Sequence, residues 1–143
     1  MKYRIAIIIS QFNQEITSLM EENALLRANE LNIQPKIYKV PGVVEIPIIA
    51  KKLALKGKFD AIITLGAVIR GETTHYDYVC DQVSYGCQKI ALEQNIPVIF
   101  GVLTCENDEQ AFDRIGGKMG NKPKEMIDVA VTMIDLMKQI DAE

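Results

Sequence analysis

A single histidine, His75, occurs in 143 residues, and it stands in the stretch IRGETTHYDYV, Ile69–Val79. Imidazole is the side chain whose charge changes near neutral pH, so its placement bears on any proton transfer the chain performs. The apolar run AIITLGAV precedes the stretch and an amphipathic segment follows, which puts His75 at a strand-to-helix junction. The first turn of a helix carries the positive end of its dipole. That field disfavours imidazolium and keeps a neutral base available, while a phosphate close by would push the other way. A lone histidine is more often structural, but this location favours chemistry.

The amides of Gly71-Glu72-Thr73-Thr74 lie at the same helix start, where unpaired N–H groups favour a phosphate and threonine hydroxyls add donors. From the residues alone, an ordinary threonine cap is the simpler reading. Gly66 and Gly71 bracket the strand end and would let a ligand approach backbone closely. Phe12, a large aromatic in the polar loop QFNQE, either stacks on a flat ring or covers the core. Arg114 either pairs with a phosphate or is a solvated helix charge. GGKMGNK lacks the Walker spacing and follows a helix, so it is not a nucleotide loop. Cys80, Cys87 and Cys105 are odd in number and form no CxxC pair. Cys80 and Cys87 share a helix face and read as small hydrophobes, and with one histidine no metal site is expected.

The elements that position these residues follow from apolar periodicity. YRIAIIIS is a strand buried on both faces, as in a parallel sheet. A helix is expected over Thr17–Leu31, with Met20, Ala24, Ala28 and Leu31 inward. Lys36–Val40 is a strand ended by Pro41-Gly42. A helix runs from near Val44 to Leu55, with Pro47 tolerated in its first turn. Asp60–Val68 is the third strand, Thr74–Asn95 the longest helix, and PVIFGVLT the fourth strand. Asn107 caps the next helix, Gln110 completing a capping box. GGKMGNKP interrupts before a last helix over Lys124–Ile140. The order βαβαβαβαα predicts an α/β three-layer sandwich of flavodoxin-like type, a four-stranded parallel sheet with helices on both faces. Ligands in such folds bind beyond the carboxyl ends of the strands. That rule selects Gln11–Asn13, Gly42–Glu45, Ala67–His75 and Phe100–Glu106.

The bulk composition, 48% hydrophobic and 24% charged, fits one domain over 1–143 that buries roughly 70% of its unfolded surface. A net charge of -3 argues against a nucleic-acid partner, so an anionic substrate must be held by local groups. MKYRIAIIIS reads as a strand rather than a signal peptide, and no run approaches membrane-span length. A soluble, cytoplasmic protein is expected.

QFN, VPGVVEIP, GAVIRGETTHYDYV, PVIFGVLTCEN and DRIGGKMGNK, in that order, resemble the lumazine synthase (6,7-dimethyl-8-ribityllumazine synthase) family across nearly the whole chain. The resemblance implies condensation of 5-amino-6-(D-ribitylamino)uracil with 3,4-dihydroxy-2-butanone 4-phosphate, without metal or organic cofactor. It implies that Phe12 stacks on the pyrimidine and that Val43, Val44 and Glu45 hold the ribityl chain and ring edge. Ala67, Val68 and Ile69 would contact the ring through backbone, Glu72 and Thr73 would bind phosphate, and His75 would transfer protons. Phe100 and Arg114 would come from the neighbouring subunit, Arg114 and Lys122 serving the phosphate. The family's assemblies imply a homo-oligomer, a pentamer or a sixty-subunit shell, and an association with riboflavin synthase. Val43-Val44 departs from the family's small-aromatic pair, and Pro123 replaces a common glycine. Two other classes are a flavin- or lumazine-binding module without turnover and a shell subunit. A phosphoacceptor receiver is disfavoured, because Ser10-Gln11 and Leu65-Gly66 lack the required acids.

Overall fold

The computed structural model describes residues 2–143; Met1, where the N-terminal reading began, lies outside them. Strands β1 (Ile5–Ser10), β2 (Lys36–Val40), β3 (Ala61–Ile69) and β4 (Val98–Cys105) form one parallel sheet in the order β2-β1-β3-β4. Ile7 pairs with Ile37 on one side and with Ile63 on the other. The continuous apolar runs of β1 and β3 are explained by burial on both faces.

Successive side chains of a strand point to opposite faces, and β1 divides its residues between two cores accordingly. Ile5, Ile7 and Ile9 pack with Met20, Ala24 and Ala28 of α1 (Gln14–Glu30) and with Ile127, Ala130 and Ile134 of α5 (Lys122–Ala142). Ala6 and Ile8 pack with Ile46, Ala50 and Leu53 of α2 (Ile46–Lys56) and with Val83, Cys87 and Ile90 of α3 (His75–Gln94). The result is the three-layer sandwich expected from the element order. The chain reverses direction across the sheet after β2. Keeping a right-handed crossover then requires the next helices to lie on the opposite face from α1.

Several boundaries differ from the sequence reading, each for a local reason. Helix α1 starts at Gln14 rather than Thr17, because Asn13 adopts left-handed backbone (φ 63°) and its carbonyl already accepts from the Ile16 and Thr17 amides. Leu31 caps that helix and is 37% exposed instead of facing the core. A 3₁₀ turn, Val43–Glu45, precedes α2, with Pro47 in the first turn of the helix as expected. Asn107 caps α4 (Asp108–Asp113) through a 2.9 Å bond from the Gln110 amide. The Gln110 side chain, however, accepts from Glu106 N at 2.8 Å, one residue upstream of a capping box. The breaker before the last helix is an antiparallel hairpin, β5 (Ile115–Gly117) and β6 (Gly120–Asn121), with φ of 88° and 90° at Gly116 and Gly120. Asn121 caps α5, which brings its start forward to Lys122 and places Pro123 in the first turn.

Candidate active site

Helix α1 leaves β1 on one face and α3 leaves β3 on the other, so the two connections diverge and open a crevice at the carboxyl ends of these adjacent strands. The crevice is a cavity of about 310 Å³. The loop after β1 supplies Phe12 and Asn13, and the turn after β2 supplies Gly42, Val43 and Val44. Ala67, Val68, Ile69 and Gly71 form the β3 wall, while Thr73, His75, Tyr76 and Val79 close it from the start of α3.

Backbone bonds from Gln11 N to Val40 O (2.8 Å) and Phe12 N to Pro41 O (3.0 Å) fix the first loop. The Phe12 side chain nevertheless stands 72% exposed, so it is not a cover over the core. Asn13 Nδ2 donates to Ala67 O at 2.9 Å and ties this loop to the β3 wall. Gly66 has a different role from the one expected. A Cβ there would lie 2.5 Å from Ser10 Oγ and 2.7 Å from Val43 Cγ1, so the glycine admits the packing that seats Val43. Gly71, by contrast, faces open space and leaves room for a ligand.

The threonine that caps the helix start is Thr73. Thr73 Oγ1 accepts from His75 N at 3.2 Å, whereas Thr74, at the N-cap, makes no side-chain cap bond. His75 is the first helical residue, and Val79 one turn on shares its face. Burial pushes the Tyr76 phenol and the Cys80 thiol up, and pushes the Cys87 thiol up to about 11. These groups therefore stay protonated at neutral pH, and neither thiol offers a ready thiolate nucleophile.

Of the thirteen residues to which the family resemblance gives a role, eight meet in this cavity: Phe12, Val43, Val44, Ala67, Val68, Ile69, Thr73 and His75. The other five do not line it. Glu45 directs Oε1 to Gly42 N at 2.9 Å, Glu72 is exposed, and Phe100 packs half-buried against the core beneath α2 and α3. Arg114 and Lys122 line a separate cavity of about 270 Å³ against edge strand β4, with Thr104, Met119 and Glu125. There Arg114 Nη1 donates to Gln110 O at 2.8 Å. Asn13 and Gly42 lie in the selected strand-end segments but had no role assigned, and Tyr76 and Val79 were not singled out, although the helical spacing from His75 to Val79 carries that signal. Among the described residues, no group of three or more His, Cys, Asp or Glu side chains could hold a metal ion, and no helix is long and apolar enough to cross a membrane.

The family profile described as 6,7-dimethyl-8-ribityllumazine synthase matches residues 2–138. A protein of that name from Coxiella burnetii (strain Dugway 5J108-111) is 53% identical, the match covering 97% of this chain and 94% of the relative. One from Protochlamydia amoebophila (strain UWE25) is 49% identical, covering 97% and 83%. The chain belongs to the 6,7-dimethyl-8-ribityllumazine synthase family. The lumazine synthase match spans every segment of the crevice and also the Arg114 cavity.

Proposed function

We propose that this chain is a transferase of riboflavin biosynthesis. It condenses 5-amino-6-(D-ribitylamino)uracil with 3,4-dihydroxy-2-butanone 4-phosphate to give 6,7-dimethyl-8-ribityllumazine, the penultimate intermediate. The observation that carries this reading, beside the family match, is the crevice at the β1–β3 divergence. It joins an exposed aromatic, the Ala67–Ile69 strand end and a histidine at a helix start. Phe12 stacks on the pyrimidine, the Ala67–Ile69 backbone reads its edge, and Val43, Val44 and Glu45 hold the ribityl side. Glu72 and Thr73 take the phosphorylated ketone at the α3 start, where amides and dipole favour its charge.

The 5-amino group attacks the ketone and, with loss of water, forms a Schiff base. Phosphate then leaves, the enol tautomerises, and the ribityl-bearing nitrogen closes the ring with loss of a second water. Several of these steps move protons, and His75 is the group positioned to carry them. The amine is already a nucleophile. Much of the acceleration is therefore positioning of two substrates, which needs neither metal nor organic cofactor.

The functional unit is a homo-oligomer, a pentamer at the least, with a sixty-subunit shell and an association with riboflavin synthase as its larger forms. Tyr78, Tyr85 and Leu92 form an exposed apolar row at heptad spacing on α3, and Ile48 and Leu55 do so on α2, which supports burial against neighbours. In that assembly Phe100, Arg114 and Lys122 of one subunit complete the crevice of the next. The protein works in the cytoplasm.

The test is direct. Purified protein mixed with both substrates should generate the lumazine chromophore, and omission of either should abolish it. Ligand binding without product would make the chain a binding module, and assembly without turnover would make it a shell subunit.

A further inference from the structure

The crevice loop has a side-chain clamp across its base that the reaction itself does not explain. Arg70 follows β3 directly, and its amide donates to Cys105 O at 2.9 Å, extending the β3–β4 ladder by one bond. Its guanidinium meets the first turn of α3, on the other side of the loop 71–74 in sequence. Nη2 donates to Asp77 Oδ1 at 3.2 Å, and the group lies 4.3 Å from the centre of the Tyr76 ring. Nε donates to Glu106 Oε2 at 2.5 Å, at the exit of β4. The side chain thus joins both ends of the loop that carries Glu72 and Thr73 and leads into His75, and ties them to the exit of β4.

We propose that Arg70 is a positioning residue that sets the placement of His75 for proton transfer. The proposal rests on the function stated above. A single exposed ion pair would do little, since water screens it and the side chains lose freedom in forming it. Here one planar fork meets two carboxylates and an aromatic face at once, a combination lysine cannot reproduce in full. Loosening it frees the first turn of α3 while leaving Phe12 and the β3 wall intact, so turnover should suffer and pyrimidine binding should not.

In Arg70→Ala, kcat should fall by about tenfold, since a displacement well below 1 Å is costly for a positioned group. The KM for the pyrimidine should stay within about twofold. Amide hydrogen exchange over residues 72–77 should quicken, a readout that does not depend on the substrates being the right ones. Arg70→Lys should recover part of the loss. In a His75→Ala background the further loss in kcat from Arg70→Ala should nearly vanish, because the clamp acts through the imidazole. Undiminished kcat, or the same loss with and without His75, would overturn the proposal. Unchanged exchange over 72–77 would do so as well. If Arg70→Ala does not assemble, Asp77→Asn and Glu106→Gln remove one partner each and should show the same pattern in milder form; normal kcat in both would also overturn it. Absence of synthase activity in the wild-type protein, with the exchange effect intact, would instead remove the functional reading and leave the clamp.

Discussion

Truncating Phe12 to alanine separates recognition from folding, because this side chain projects from a loop that the backbone already holds. Its 72% exposure leaves most of the ring available to a ligand. A phenylalanine side chain offers roughly 200 Å², and a stacked pyrimidine covers one face, or roughly 70 Å² of the exposed part. At about 25 cal/mol per Å² the contact contributes ~1.8 kcal/mol, within the ~1–3 kcal/mol found for a base on an aromatic face. The expected outcome is a dissociation constant about twentyfold weaker for an unreactive ribityl-pyrimidine analogue, measured by calorimetric titration. Phe12→Leu keeps apolar area but not the π face, so its loss should be smaller. Unfolding stability should stay within about 0.5 kcal/mol of wild type, as for other surface positions. Wild-type affinity in a folded Phe12→Ala protein would refute the stacking role.

Arg114→Ala should raise KM for the phosphorylated ketone by about 10- to 100-fold, the scale of a lost charged hydrogen bond, and leave KM for the pyrimidine nearly unchanged; steady-state kinetics with each substrate varied decides it, and equal effects would rule out a phosphate contact. When His75→Ala and Arg114→Ala proteins are unfolded and reassembled together, about a quarter of shared sites should be intact; verified mixed oligomers with no activity above the parents would sink the two-chain site. Gly66→Ala should destabilise by about 1–3 kcal/mol, seen as a lower thermal or denaturant midpoint, because its Cβ would fall 2.5 Å from Ser10 Oγ and 2.7 Å from Val43 Cγ1. A midpoint equal to wild type would show that these neighbours move freely.

The sheet was legible because burial on both faces forces β1 and β3 to be apolar without interruption, and no competing signal crosses them. The β5–β6 hairpin was not, since two or three residues per strand are too few for a period and its turn depends on positive φ at glycines. The start of α1 was hidden for a similar reason, lying in one left-handed asparagine rather than in an apolar pattern. Strand-end reasoning found the crevice because its walls are local in sequence. It gave Arg70 no role, because its partners Asp77 and Glu106 meet only through the fold.

Distance is what the sequence alone withholds. The family resemblance assigns Arg114 to a neighbouring subunit's site, and within one chain Phe12 and His75 line the β1–β3 crevice while Arg114 lines another cavity at the β4 edge. The crevice lining contains no lysine or arginine among the described residues. Thr73 and the amides at the α3 start supply partial charges, and a helix terminus amounts to only about half an elementary charge. A phosphate monoester carries close to two negative charges near neutral pH, so a full cation must come from elsewhere. A cyclic head-to-tail assembly presents a different surface to each neighbour. The β4 edge gathers Arg114 and Lys122 in one cavity with Glu125, and its two cations support the shared site proposed above.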